Sequence, residues 1–118
     1  MILERKNIIK EKSFRFAVEI VSLYKVLVEK KEFILSKQIV RSGTSIGANI
    51  REAEHAQSKA DFINKLSISL KEANETEYWL DLLFETGYLN EDEFQKIKVK
   101  NIELLKLLIS IINTSKSK

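Results

Sequence analysis

The chain contains almost no glycine or proline. Its 118 residues include no proline and only three glycines. A β-sheet domain of this length needs many tight turns, and glycine and proline are the residues that form them most readily. A few long helices need only a few connections. The sequence therefore predicts an all-α fold.

Apolar residues recur at intervals of three and four along four segments, as they do on one face of an α-helix. We predict helices over about residues 13–31, 34–56, 59–86 and 91–113, within one domain that covers residues 1–118. The connections are a few residues long, and short connections place consecutive helices antiparallel. The predicted architecture is an antiparallel up-down four-helix bundle.

Three helix ends carry local signals. Ser58 followed by Asp61 resembles a capping box at the start of the third helix, and Asn90 followed by Glu93 marks the start of the fourth. Gly87 stands where a helix end favours a left-handed residue. These signals predict where the third helix starts and ends and where the fourth starts.

The first predicted helix is capped by Ser13 and has two apolar stripes. Phe14, Ala17, Val18, Val21, Tyr24 and Val28 follow three-and-four spacing and share one face. A second stripe beside it consists of Phe16, Ile20, Leu23 and Leu27. The fourth helix is also apolar around most of its circumference between Leu104 and Ile112. Because such helices must be buried on more than one side, we expect a homo-oligomer.

The other helices have one apolar face each. These faces consist of Leu35, Ile39, Ile46, Ile50 and Ala53; of Phe62, Leu66, Leu70, Ala73, Leu80 and Phe84; and of Phe94, Ile97, Leu104, Leu108 and Ile111. The second helix also contains Gly43 and Gly47, and each glycine in a helix interior costs roughly 1 kcal/mol relative to alanine. We therefore expect either a kink there or close contact with a neighbouring helix.

Composition limits the class of protein. Apolar residues make up 44% of the chain and charged residues 31%, which is typical of a globular protein. The N-terminus does not resemble a secretory signal, and no apolar run is long enough to span a membrane, so we expect a cytoplasmic protein. The net charge of +3 permits a polyanionic partner but indicates it only weakly.

Catalytic patterns are missing from the sequence. There is no cysteine, and the single histidine, His55, follows Glu52 at the spacing of half a di-iron motif. A complete di-iron site needs a second such pair with its own histidine. No phosphate-binding loop, dinucleotide fingerprint or nucleophile elbow occurs. We expect no enzyme activity, no cofactor and no metal.

A polar stripe runs beside the apolar face of the second helix. Its members are Ser42, Ser45, Asn49 and Glu52, and on the third helix Lys71, Asn74 and Glu75 could face them. A buried hydrogen-bond network that fixes the helix register is our preferred interpretation, and a ligand pocket is the alternative. We interpret Trp79 and Tyr78 as a core wedge and an interface residue rather than a base-stacking platform.

Several strings along the chain resemble one family over about residues 8–113. They are Ser13-Phe14-Arg15-Phe16-Ala17, Arg41-Ser42-Gly43-Thr44-Ser45-Ile46-Gly47-Ala48-Asn49-Ile50, Lys71-Glu72-Ala73-Asn74-Glu75-Thr76 and Tyr78-Trp79-Leu80. The family is the bacterial four helix bundle protein family, also called the 23S ribosomal RNA intervening-sequence protein family. The accessory variability proteins of diversity-generating retroelements look like a related branch.

The resemblance implies an up-down bundle that assembles as a ring-like homopentamer and associates with nucleic acid. It implies no catalytic residues. The shared residues map to Arg41, Ser42, Ser45, Asn49, Glu52 and Trp79, and their implied role is structural.

A ring would repeat each basic patch around an axis, so that weak phosphate contacts add together. We expect the binding surface for ribosomal RNA or another nucleic acid to consist of Lys6, Lys10, Arg15, Lys96 and Lys100. The alternative is a scaffold for a reverse transcriptase or another nucleic-acid enzyme, without direct contact to RNA.

Overall fold

The computed structural model describes residues 2–117. Within this range it contains four α-helices and no strand: α1 (Ile2–Glu29), α2 (Leu35–Glu54), α3 (Lys59–Glu85) and α4 (Glu91–Lys116). The predicted all-α four-helix fold is confirmed.

Neighbouring helices run antiparallel. The guanidinium of Arg5, near the start of α1, donates to the hydroxyl of Ser110 near the end of α4 (2.5 Å). Beyond the other end of α1, Lys30 donates to the carbonyl of Tyr88, just before α4 begins (3.4 Å). Between consecutive helices too, residues later in one helix contact residues earlier in the next or the previous one, as antiparallel packing requires. The bundle is thus up-down-up-down, and α4 closes it against α1.

The predicted end signals of α3 and α4 are confirmed. The Ser58 hydroxyl accepts a hydrogen bond from the Asp61 backbone (3.0 Å). Asn90 and Glu93 form a complete capping box. Gly87 follows α3 with a φ of 85°, and this left-handed conformation costs glycine little. These ends form locally because their hydrogen-bond partners lie within a few residues.

The expected start of the first helix at Ser13 is wrong. Helix α1 begins at Ile2, and Ser13 lies inside it, where its hydroxyl donates to the Lys10 carbonyl (3.1 Å). No glycine or proline interrupts the segment before Ser13, and Ile9 extends the apolar face upstream, with only 1% of its surface exposed. A capping residue type does not start a helix when the helix can continue past it.

Only one of the two apolar stripes predicted on α1 lies in the core. Phe16, Ile20 and Leu27 are buried, whereas Phe14 and Val18 are 55% and 52% exposed. The buried residues belong to the second of the two predicted stripes. Both stripes have helical spacing, so the positions of α2 and α4 decide which one enters the core.

Helix α2 is continuous through its two glycines, and close helix packing explains them. A Cβ atom added at Gly43 would lie 2.8 Å from Cγ2 of Ile20. A Cβ atom at Gly47 would lie 3.3 Å from the hydroxyl of Ser13. The glycines therefore allow α1 to approach the backbone of α2, and of the two expected outcomes the close contact is the observed one.

The predicted core faces of α2 and α4 agree with the structure, although Leu35 and Ile97 are only partly buried. Helix α3 is rotated slightly from its predicted orientation. Ser69, Thr76 and Leu83 are fully buried, whereas Leu70 and Phe84 are only partly buried. This rotation brings two hydroxyl groups into the core beside α2.

Candidate functional site

Arg41 forms the centre of a charged cluster between α2 and α3. Its guanidinium donates to Glu72 (3.1 Å) and to Glu75 (2.5 Å). The same Glu75 oxygen accepts a hydrogen bond from the indole nitrogen of Trp79 (3.3 Å). Two of the residues that the family resemblance implied to be structural, Arg41 and Trp79, therefore meet at one carboxylate.

The cluster changes the acid–base behaviour of its members. The hydrogen bond from Arg41 lowers the pKa of Glu75 below its ordinary value of 4.5, and the hydrogen bond from Trp79 acts in the same direction. The hydrogen bond to Glu75 correspondingly raises the pKa of Arg41. Glu75 therefore remains a carboxylate at neutral pH, suited to holding two helices together rather than to transferring a proton.

Behind this cluster, buried hydroxyl groups link α2 to α3. Thr76 donates to the hydroxyl of Ser42 (2.9 Å), and Ser69 donates to the carbonyl of Ile46 (2.9 Å). All three side chains are fully buried. The predicted polar network therefore includes Ser42, but its partners on α3 are hydroxyls rather than the expected Lys71 and Asn74, which are exposed.

The sequence does contain a signal for the missed residues. Ser69 and Thr76 lie three residues after the buried Leu66 and Ala73, on the same helical face. Small polar residues on an apolar face indicate a hydrogen bond across the helix pair, since a buried hydroxyl is normally satisfied.

The rest of the predicted polar stripe makes local contacts. Ser45 donates to the carbonyl of Arg41 (2.6 Å), and Asn49 donates to the carbonyl of Ser45 (2.9 Å), both within α2. Glu52 pairs with Lys65 of α3 at 3.1 Å, in solvent. The side of the bundle between α2 and α3 is therefore a structural seam with its polar groups already paired. We call it the α2–α3 seam.

His55 is the exposed C-cap residue of α2. Across residues 2–117, no group of three or more His, Cys, Asp and Glu side chains is placed to hold a metal ion. None of the helices in this part of the chain is long and apolar enough to cross a membrane.

Three of the five predicted nucleic-acid-binding residues lie on the side formed by α1 and α4, which we call the α1–α4 side. Arg15 and Lys100 line one groove of about 690 Å³. Lys96 and Lys100 line a second groove of about 350 Å³ that continues toward Lys30. These cations therefore share one elongated surface.

The other two predicted residues lie elsewhere. The ammonium group of Lys6 sits 4.4 Å from the ring centre of Phe62 on α3. Lys10 pairs with Glu54 at the end of α2 (3.1 Å). Both therefore face α2 and α3, so the structure does not bring all five cations onto one surface.

Most of the predicted cations already have a carboxylate partner. Arg15 pairs with Glu11 at 3.0 Å, and Lys96 with Asp92 at 3.3 Å. Lys100 forms an ion pair with Glu19. Ion pairs this exposed contribute only about 0–1 kcal/mol, so a phosphate can compete for their cations.

The α1–α4 side also exposes apolar residues. Ile8 and Val99 are 44% and 61% exposed, and they share a groove with the partly buried Ile102 and Leu107. An exposed apolar patch beside ion pairs is typical of a surface that contacts another protein.

Comparison with known protein families identifies the family of this chain. A family model described as 23S rRNA-intervening sequence protein matches residues 5–110, nearly the whole chain. The chain belongs to this family. The predicted relationship is thus confirmed, and the matched range contains both the α2–α3 seam and the grooves of the α1–α4 side.

A protein of known crystal structure that is similar in sequence has the same fold. The crystal structure of a protein of unknown function from the S23 ribosomal protein family of Bacteroides thetaiotaomicron is 64% identical to this chain. The match covers 92% of this chain and 98% of that one, with a TM-score of 0.91. No curated protein sequence matches the chain. Neither the family description nor that of the solved relative indicates a catalytic activity.

Proposed function

We propose that this member of the 23S rRNA-intervening sequence family is a non-catalytic, homo-oligomeric, cytoplasmic protein that binds structured RNA or DNA. The observation that carries the proposal is the family match over residues 5–110, because the family description refers to ribosomal RNA. The arrangement of cations on the α1–α4 side supports the proposal.

The α1–α4 side offers a plausible path for a phosphate backbone. Arg15, Lys96 and Lys100 line two grooves that both include Lys100. Each cation is exposed and only weakly held by its carboxylate partner, so exchange for a phosphate costs little. One protomer with a net charge of +3 would bind weakly. Repetition of the surface in an oligomer multiplies the affinity through effective concentration.

Self-assembly is part of the proposal, with the homopentamer implied by the family resemblance as the expected state. The exposed apolar side chains of Ile8 and Val99 would be covered in such an assembly. The Lys12–Glu103 ion pair (3.2 Å) lies in the same groove and would border that contact.

The test is binding of a labelled structured RNA and a duplex DNA across a salt series. We expect the logarithm of the affinity to fall linearly with the logarithm of the salt concentration, since bound phosphates release counterions. The double variant Lys96→Glu, Lys100→Glu should bind more weakly and with a smaller salt slope. Lys71→Glu, an exposed lysine on α3, is the matched control. Unchanged binding by the double variant would contradict the assignment of this surface.

The pairing of the predicted cations favours a second candidate function. Because Arg15, Lys96 and Lys100 all contact carboxylates, the α1–α4 side carries both charges and is also partly apolar. Such a surface suits a protein scaffold for a nucleic-acid enzyme such as a reverse transcriptase. No binding to RNA or DNA at low salt, together with binding to such an enzyme, would favour this alternative.

A further inference from the structure

The turn between α1 and α2 exposes two consecutive large apolar residues. Phe33 is 53% exposed and Ile34 is 74% exposed. Single apolar residues on a surface are ordinary, but these two stand among lysines. Lys30 and Lys31 precede them, and Lys37 follows in the first turn of α2.

The lysines of this turn differ from the predicted binding residues in being unpaired. Lys31 and Lys37 are exposed and make no ion pair or side-chain hydrogen bond with any other part of residues 2–117. Lys30 makes one long contact, to the carbonyl oxygen of Tyr88 (3.4 Å). These ammonium groups are available to an anion without first losing a carboxylate.

The backbone of the turn is held in one conformation. Lys31 adopts a φ of 65°, and the amides of Lys31 and Glu32 donate to the carbonyls of Val28 and Leu27, both at 2.9 Å. This pattern is a Schellman motif, which closes the C-terminal end of α1.

Glu32 completes the turn from the other side. Only 9% of its surface is exposed, and its carboxylate accepts hydrogen bonds from the amides of Ser36 (2.7 Å) and Ile34 (3.3 Å). The acidic group nearest to Phe33 in sequence therefore caps α2 and is turned away from solvent. A ligand would meet an ordered aromatic ring and free cations, so little conformational entropy is lost on binding.

We propose that this turn binds unpaired nucleotides of a nucleic acid, with a base stacked on the ring of Phe33 and phosphates contacting Lys31 and Lys37. The proposal rests on the proposed nucleic-acid-binding function and names the single-stranded part of the ligand. Aromatic stacking accepts any base, because every base has a π face, so we expect little sequence preference.

The acidic residues at the same end of the bundle argue against a membrane surface as the ligand. The contact between Lys30 and Tyr88 places the α3–α4 turn beside the α1–α2 turn. That neighbour carries the exposed carboxylates of Glu85, Glu91 and Asp92. A flat anionic bilayer would meet these carboxylates together, whereas a strand that runs from Phe33 into the groove at Lys30 passes only the start of α4, where Asp92 is paired with Lys96.

The turn also continues the proposed binding surface. Lys30 lines the same groove of about 350 Å³ as Lys96 and Lys100. A structured RNA that lies along the α1–α4 side can therefore place an unpaired end or loop at Phe33. The two contacts are chemically distinct, since one neutralises phosphates and the other stacks on a base.

The test uses the full-length protein and a short fluorescein-labelled oligouridylate, which has little structure of its own. We expect Phe33→Ala to weaken binding about 5- to 150-fold, as found for loss of one base stack. Phe33→Trp should retain binding, and its added indole fluorescence should be quenched by the oligonucleotide. Tyr78→Ala is the matched control, because Tyr78 is a similarly exposed aromatic residue (59%) on α3, away from the α1–α4 side. Lys31→Ala with Lys37→Ala should lower the salt slope.

The outcomes separate this proposal from the proposed function. If structured RNA binds and responds to Lys96→Glu with Lys100→Glu, but Phe33→Ala leaves oligouridylate binding unchanged, the turn proposal is overturned and the function stands. If no nucleic acid binds at low salt, both are overturned. Binding of phosphatidylserine vesicles that depends on Phe33, without binding of oligouridylate, would replace the strand with a membrane surface.

Discussion

Some of the polar contacts between α2 and α3 are fully buried, whereas the described contacts between α1 and α4 are partly buried or lie in solvent. In the α2–α3 seam, Thr76 and Ser42 share a hydrogen bond inside the core. Across the α1–α4 side, Lys12 and Glu103 pair at 3.2 Å with more than 40% of each side chain exposed. A buried hydrogen bond fixes the register of two helices, since an unpaired group there is costly, whereas an exposed ion pair is easily exchanged. Buried hydrogen bonds therefore set the register of α2 and α3, whereas the exposed ion pairs of the α1–α4 side can be exchanged for other contacts.

The tight packing of α2 against α1 should be the most sensitive feature of the bundle. Gly43→Val would place a Cβ atom 2.8 Å from Ile20, which is fully buried and unable to move aside. Overpacking of a core costs typically about 1–3 kcal/mol, and we expect a loss near the upper end. Ala48→Val, on the exposed face of the same helix, should change stability little. Chemical denaturation of both variants measures the difference, and equal stabilities would refute the close-packing explanation.

The hydrogen bond in the α2–α3 seam should have the next largest effect. Thr76→Val keeps the shape but removes the hydroxyl that bonds Ser42, which leaves the buried Ser42 hydroxyl with only its long contact to the Ile39 carbonyl (3.5 Å). We expect a loss of about 1–2 kcal/mol in the free energy of unfolding. Adding Ser42→Ala should recover part of the loss, because this poorly satisfied hydroxyl is then gone. Thr86→Val, at the exposed end of α3, serves as the control.

A charge on the α1–α4 side should weaken self-association rather than folding. Val99→Glu puts a carboxylate on a residue that is 61% exposed, so the monomer should keep its stability. If this surface is covered in the oligomer, burial of that charge should weaken assembly by at least about tenfold, which corresponds to 1.4 kcal/mol. Analytical ultracentrifugation measures the mass, with Ala48→Glu on α2 as the control. An unchanged mass distribution would place the interface elsewhere.

Acid should weaken the charged cluster of the α2–α3 seam by a smaller amount. Since Arg41 lowers the pKa of Glu75, this pair stabilises the fold above pH 4.5, and the contribution is lost as pH falls through the lowered pKa. The cluster is partly exposed, so we expect a difference of about 0.2–1 kcal/mol. Glu75→Gln should remove this part of the acid-dependent loss. Arg41→Gln should remove the same part of the acid-dependent loss of stability, because the arginine causes the shift in the pKa of Glu75. A variant that keeps the full loss would contradict the assignment.

Loss of an exposed ion pair on the α1–α4 side should be the smallest effect. Lys12→Ala removes the partner of Glu103, and we expect a change within about 0.5 kcal/mol. Thermal unfolding at two salt concentrations measures it. A change as large as that of Thr76→Val would mean that the two sides of the bundle do not differ in the way described.

The sequence alone determined the number of helices, both ends of α3, the start of α4, and the core faces of α2 and most of α4, whereas α4 continues to Lys116, past the predicted end at about residue 113. These features follow from periodicity and from capping residues such as Ser58, Asn90 and Gly87, whose partners are close in sequence. The unpaired state of Lys31 and Lys37 could not be read in this way, because it depends on where the carboxylates of other helices lie.

Tertiary structure decided which of the two apolar stripes of α1 is buried, and that Ser13 lies within a helix rather than at its start. It also decided that Arg15, Lys96 and Lys100 share a side of the bundle that Lys6 and Lys10 do not. Periodicity shows that a helix has an apolar face, but two adjacent stripes satisfy it equally. The contacts with α2 and α4, which are distant in sequence, decide which stripe of α1 is buried. They also decide which cations remain on the surface.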